Sequence, residues 1–275
     1  MKFSKLDLVT HSTLLIEVID EKGDLLSTGT GFIYNFCEDS EANTCIPALV
    51  TNKHVINNTK NIRLTFTLAD EKRNPLFGQT KSIIVPTDDF IFHPANDVDL
   101  AILPIAFINK YFYDNNINIY YIPLFKELLP TETEWNSYNS IEEIVMIGYP
   151  KGLWDTAHNL PLLRKGITST HPSFDFKGKR EFLIDAACYP GSSGSPVFLY
   201  NLGYIWDKGT DNFKLENRLK LLGIMYSGPL HNAEGITLNQ TVTLASGKTT
   251  ITPILINLGY VIKSSVLLDF EELLK

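Results

Sequence analysis

At 275 residues and 44% hydrophobic content, the chain holds enough apolar material for one sizeable core or two packed ones, and its composition excludes disorder. A formal net charge of -7 leaves no basic face for a nucleic acid, and no apolar run reaches the ~18 residues of a membrane span. Cys37, Cys45 and Cys188, together with a start that lacks the apolar stretch of a signal peptide, point to a reduced, cytoplasmic setting, although Cys37 and Cys45 could meet across a hairpin tip.

Short β-rich runs separated by turn signals open the chain at 14–19, 29–34, 48–51, 62–68, 83–86 and 100–103. Around the third run, PALVTNKHVI (47–56) passes from apolar residues through a turn-prone Thr-Asn-Lys, which places His54 at a strand end. In DVDLAIL (97–103), Asp99 is the last charge before a continuously apolar strand, so its carboxylate faces a boundary between solvent and core. The stretch 105–140 is aromatic and Asn-rich, with Pro123 and Pro130, and reads as a long connection. Further β-runs follow at 144–148, 162–170, 180–187, 195–200, 221–226 and 254–262, which makes the expected fold class all-β. The KGKR of 177–180 is a turn too short to count as a basic patch. Two polar, Gly-punctuated stretches, 201–220 and 229–250, flank the 221–226 strand and read as specificity loops. The tail switches to helical period after a serine cap, with Val266, Leu267, Phe270, Leu273 and Leu274 on one face.

The run CYPGSSGSPVF (188–198) carries the chemistry. Gly191 and Gly194 permit a tight turn just ahead of an apolar strand, and Ser193 stands between them. A serine hydroxyl is a weak nucleophile at neutral pH unless a base takes its proton and an acid orients that base. His54 and Asp99 supply those two groups. Taken singly, each pattern has an ordinary structural explanation: a satisfied histidine, a common Gly-Ser-Gly turn, a turn-capping Asp. Three of them together point to a hydrolytic triad.

The blocks TNKHV, DVDLAIL and GSSGSP resemble the three signature blocks of trypsin-like serine proteases, in the same chain order, and the similarity extends over roughly residues 15–268. The resemblance implies a single peptidase unit over 1–275: two packed six-stranded antiparallel β-barrels (8–104 and 141–263), an inter-barrel connection (105–140) and a C-terminal α-helix (264–275). It implies a serine endopeptidase with polypeptide substrates, His54 as base, Asp99 as orienting acid, Ser193 as nucleophile, and the backbone N–H groups of Gly191 and Ser193 as an oxyanion hole. LLGIMYSG (221–228) is similar to the strand that pairs with bound peptide, so Ile224, Met225, Tyr226 and Ser227 are expected to line the groove. No cofactor or metal is implied. Ala187 and Cys188 fall in the wall of the specificity pocket, where Ala187 disfavours a basic P1 side chain; Cys188, a rival nucleophile by chemistry, reads as a small buried residue.

The chain departs from the digestive enzymes at Ser192, where they carry an Asp that receives a new N-terminus; it resembles the bacterial intracellular branch instead. Ser195 replaces a glycine, and both serines read as turn residues bonded to local backbone. A Gly-Tyr-Pro turn at 148–150 resembles one in the bacterial members, with Tyr149 and Trp154 packed on the second barrel. An α/β-hydrolase is excluded, because Pro196 opens a strand where that fold needs a helix. The alternative from another class is a catalytically silent or partner-activated protease fold acting as a binding module, the partner ordering 201–220 or 229–250.

Overall fold

The β-rich runs of the first half of the chain, separated by turns, fold as one antiparallel sheet. In the computed structural model, residues 3–275 are described except Asn58, Lys208, 238–247 and Ile256. A short helix α1 (Lys5–Thr10), closed by a reciprocal Ser4–Asp7 capping box, leads into β1 (Thr13–Ile19). Then come β2 (Leu25–Asp39), β3 (Thr44–Thr51), the single turn α2 (Lys53–Ile56), β4 (Asn61–Ala69), β5 (Pro75–Pro86), β6 (Ile91–Phe92) and β7 (Ala101–Pro104). With β8 (Ile119–Tyr120) added to β4, they form an eight-stranded sheet in the order β5-β4-β1-β2-β3-β7-β6. All six expected runs are present. The edge strand β5 is exposed over most of its length and has a proline at each end, which discourages further pairing.

The connection is more structured than expected. It holds α3 (Ala106–Asp114) and α4 (Glu132–Ser137). α3 has no side-chain cap and buries only Ile108 and Phe112, one turn apart, so its helical period is masked by neighbouring aromatics. α4 has a Thr131–Glu134 capping box that the sequence carries in plain view.

In the second half, β9 (Glu143–Gly148), β10 (Leu162–Thr168), β11 (Glu181–Asp185), β12 (Pro196–Asn201), β15 (Arg218–Ser227) and β18 (Leu258–Lys263) close into a barrel in the order β10-β11-β18-β15-β12-β9. Two hairpins project from it: β13 (Tyr204–Asp207) with β14 (Asn212–Leu215), and β16 (Leu230–Thr237) with β17 (Lys248–Leu255). The stretches expected as loops are therefore largely these hairpins, with 238–247 outside the described residues. The strand expected at 254–262 is broken between β17 and β18, where Asn257 adopts a left-handed φ of 58°.

The C-terminal segment differs from the α-helix expected. Ser264–Phe270 is a 3₁₀ helix that follows β18 directly, without a side-chain cap. Val266, Leu267 and Phe270 are buried as anticipated, while Leu273 is exposed. A turn of three residues seats these apolar groups without the cap and length that an α-helix needs.

Three apolar clusters explain the layering. One fills the first sheet (Ile16, Ile33, Leu49, Leu64, Phe66, Val85) and another fills the barrel (Ile144, Met146, Phe182, Val197, Leu222, Val261). The third lies between them, joining Phe32, Tyr34, Val50 and Ile102 to Val145, Ile147, Phe198, Ile224, Val266 and Phe270. β9 is thus buried on both faces, which is why it reads as a continuous apolar run. Among the described residues, no helix is long and apolar enough to cross a membrane.

The barrel also buries an ion pair. Glu142 is 3% exposed at its side chain and Arg218 13%, with Nη2 of Arg218 2.5 Å from Oε2 of Glu142. The other carboxylate oxygen accepts the backbone N–H of Asn139 at 2.8 Å. Arg218→Met would leave that carboxylate buried and uncompensated, and a loss of about 3 kcal/mol in urea unfolding is expected. Adding Glu142→Gln to the same chain should restore most of it.

Candidate active site

β3 ends at Thr51, and Asn52 turns the chain into α2, whose second residue is His54. Two side chains hold this turn against the segment that leads into β7. Lys53 Nζ donates to the carbonyls of His93 and Ala95 at 2.9 and 3.2 Å, and Asn52 Nδ2 donates to the Asp99 carbonyl at 2.7 Å. The burial this requires pulls the Lys53 ammonium below its usual pKa. Asp99 is thereby brought to His54. Its Oδ1 accepts the His54 backbone N–H at 3.1 Å, and its Oδ2 lies 2.5 Å from Nδ1 of the ring. With the proton on Nδ1, the Nε2 lone pair is left open, and the imidazole is half exposed.

Ser193 lies on the turn that leads into β12 of the barrel. Gly191 and Gly194 both have φ of +87°, and a Cβ on Gly194 would fall 1.9 Å from the Thr30 carbonyl oxygen. Only glycine allows the turn to press this closely on β2. Thr30 fastens it: its N–H donates to the Ser193 carbonyl at 2.9 Å, and its Oγ1 donates to the Gly191 carbonyl at 2.9 Å. The Thr51 hydroxyl, three residues before His54, donates to the Thr30 carbonyl at 2.8 Å. The Ser193 hydroxyl donates to the Tyr226 carbonyl at 3.3 Å; among the described residues it has no hydrogen bond to His54.

The two amides expected to form an oxyanion hole are aimed by the carbonyls that precede them. N–H and C=O point opposite ways across a trans peptide. The Pro190 carbonyl accepts from Lys151 N–H at 2.6 Å and the Ser192 carbonyl from Ser195 N–H at 3.0 Å, so the Gly191 and Ser193 N–H groups point away from those contacts. Among the described residues, neither N–H donates to a protein acceptor.

The profile of the trypsin-like peptidase domain matches residues 29–204, a span that includes His54, Asp99 and Ser193. This chain belongs to that family. It is a peptidase, a hydrolase of polypeptides. Among solved structures, it is similar to Rv3671c of M. tuberculosis H37Rv in an inactive form, at 14% identity and a TM-score of 0.43, covering 94% of this chain and 84% of that one. It is likewise similar to the active form of the Rv3671c protease from M. tuberculosis, at 13% identity and a TM-score of 0.42, covering 94% and 78%. No curated protein matches.

In this peptidase the expected substrate-facing residues divide. Ile224 and Met225 are 0% and 3% exposed and belong to the apolar clusters, so their side chains do not line a groove. The period-2 alternation of β15 is lost because both of its faces are covered there. Met225 contributes backbone instead: its carbonyl accepts from Gly194 N–H at 2.8 Å, and its N–H donates to Ser195 at 2.9 Å. Tyr226 is half-buried and Ser227 exposed where the strand emerges. Ala187 is half-buried, and Cys188 is 1% exposed against Gly259, where a Cβ would come within 2.6 Å of the sulfur. Burial pushes the Cys188 thiol up to about 11, which removes it as a nucleophile. The β13–β14 hairpin lines a cleft of about 720 Å³ with Leu8, Phe125 and Tyr138, and no residue of the candidate triad takes part in it.

Ser192 and Ser195 are both fully buried. Ser192 Oγ accepts the local Tyr189 N–H at 3.4 Å, as a turn residue would, but also accepts from Arg164 Nη2 at 2.8 Å. Tyr149 packs toward the first half, its hydroxyl donating to the Thr13 carbonyl at 3.2 Å, and not only on the barrel. Thr30, Lys151 and Arg164 hold the site and were not foreseen. Each acts across a long separation in sequence, and the one local hint was Arg164, a charge in a strand that must face a barrel.

Proposed function

We propose that the chain is a serine endopeptidase working through His54, Asp99 and Ser193, with residues 1–275 acting as one peptidase unit. The reading is carried by the contact of His54 Nδ1 with Asp99 at 2.5 Å, and supported by the Thr51–Thr30–Ser193 hydrogen bonds that tie the serine turn to the strand end before His54. Ser193 Oγ leaves the Tyr226 carbonyl, gives its proton to His54 Nε2 and attacks the scissile carbonyl. Asp99 stabilises the imidazolium so formed. The N–H groups of Gly191 and Ser193 receive the negative charge on the attacked oxygen, a stabilisation that requires no reorganisation when the donors are already aimed. His54 then protonates the leaving amine, and an acyl-Ser193 ester remains. Water, activated by the same imidazole, hydrolyses that ester and regenerates the serine. The exposed end of β15 pairs with substrate main chain, and Ala187, which brings no acid to select a basic side chain, favours a small or apolar P1 residue.

One observation favours a second reading, a silent or partner-activated protease fold: the Ser193 hydroxyl bonds to the Tyr226 carbonyl and not to the imidazole. Intact-mass spectrometry after a fluorophosphonate probe separates the two. A single adduct on wild type, absent in Ser193→Ala, is the expected result. Folded wild type that takes up no adduct would sink the competent-enzyme reading and favour the second.

A further inference from the structure

The segment from Ala187 to Ser193 carries both amides of the proposed oxyanion hole, and one side chain from outside it touches both of its ends. Arg164 stands on β10, and its Nη1 donates to the Ala187 carbonyl while its Nη2 donates to Ser192 Oγ at 2.8 Å. Ser192 is fully buried, and the Arg164 Nε is buried without a hydrogen-bond partner. Among the described residues, no carboxylate forms an ion pair with Arg164. Burial lowers its pKa from the usual guanidinium value, yet an arginine does not give up its proton in a protein. A half-buried cation without a counter-charge is a poor device for stability, and an apolar side chain of like volume would serve the barrel about as well. What the guanidinium supplies and an apolar chain does not is a planar fork of donors at fixed spacing.

We propose that Arg164 is a positioning residue, a brace between Ala187 and Ser192 that holds the Gly191 and Ser193 N–H groups convergent before substrate arrives. The inference rests on the reading of those amides as the oxyanion hole. Thr30 and Lys151 restrain the same segment by its Gly191, Ser193 and Pro190 carbonyls, from β2 and from the 149–152 turn. Arg164 restrains it at Ala187 and at the Ser192 side chain. With the second set gone, the segment keeps its anchorage to β2 but loses the fixed distance between its two ends. The two amides then sample geometries in which only one can reach the oxyanion. The defect should appear where charge develops on the substrate oxygen, in the transition state, and hardly at all in ground-state binding.

The test compares wild type with Arg164→Met, which keeps volume and removes charge and donors, and Arg164→Lys, which keeps the cation but replaces the planar fork with a single nitrogen. Four readouts are taken: kcat and KM on a peptide substrate, affinity for a peptide aldehyde that forms a tetrahedral adduct, fluorophosphonate labelling, and thermal unfolding. For Arg164→Met a fall in kcat of about 10²-fold is expected, with KM within about threefold and aldehyde affinity falling in step with kcat/KM. Arg164→Lys should lie between it and wild type. A folded Arg164→Met with wild-type kcat and aldehyde affinity overturns the proposal, and so does a loss confined to KM, which would mark Arg164 as part of a binding pocket. Failure of both variants to fold marks a purely structural residue and overturns it as well. A wild type inert to both probe and peptide overturns the oxyanion-hole reading itself, which the other outcomes leave standing.

Discussion

Replacing Ser193 by Ala is expected to lower kcat/KM on a peptide substrate by about 10⁴- to 10⁶-fold, and replacing His54 by Ala to do nearly the same. The two losses should not add. A base without its nucleophile has no proton to take, and a serine without its base is an ordinary alcohol, so the double variant should be no slower than about tenfold below either single one. Residual turnover above the uncatalysed rate is expected in all three, because the Gly191 and Ser193 amides and the end of β15 are untouched. Progress curves at high enzyme concentration measure this directly. Fully additive losses would mean that Ser193 and His54 act in separate steps, and the triad reading would fail.

Asp99→Asn is expected to cost about 10⁴-fold in kcat with little change in KM or stability. The reason lies in the two bonds that the carboxylate accepts, the His54 backbone N–H on one oxygen and the Nδ1 proton on the other. An amide has a single oxygen. If that oxygen keeps the backbone N–H, the NH₂ group faces Nδ1, and the ring must turn its lone pair there and carry its proton on Nε2. His54 then points a proton at Ser193 where it should accept one. Stopped-flow acylation with an activated ester isolates the step, and an unimpaired acylation rate in the folded variant would show that Asp99 does not set the tautomer.

The segments proposed to carry the chemistry are legible because each is written locally. His54 follows a strand and a turn, Asp99 precedes a buried strand, and Ser193 sits between two glycines whose φ of +87° the turn does require. The twelve β-runs came from the same kind of short-range signal, and only the last, at 254–262, was drawn across a break. What escaped was whatever depends on distant partners. Thr30 bonds to Gly191 across 161 positions and to Tyr149 across 119. Arg164 finds Ser192 only because β10 and the 187–193 segment meet in a closed barrel. Ile224 and Met225 are placed in a groove by the resemblance of 221–228 to a peptide-pairing strand, whereas apolar clusters cover both faces of β15 there, one taking Ile224 and the other Met225. The 3₁₀ end of the chain escaped for a different reason: the spacing of Val266, Leu267 and Phe270 fits either helix, and the missing cap is what separates them.

The cluster that joins the two halves bears on how the molecule comes apart. Phe32, Tyr34 and Val50 from one side and Val145, Phe198 and Ile224 from the other are all buried in it, and the tail completes it with Val266 and Phe270. A half that opened alone would wet apolar surface on both sides of the cluster, and the tail would have nothing to close against. Partial opening is therefore costly next to complete unfolding. The molecule should melt in one transition, and a nick in the connection should leave two fragments that stay associated and fold only in each other's company.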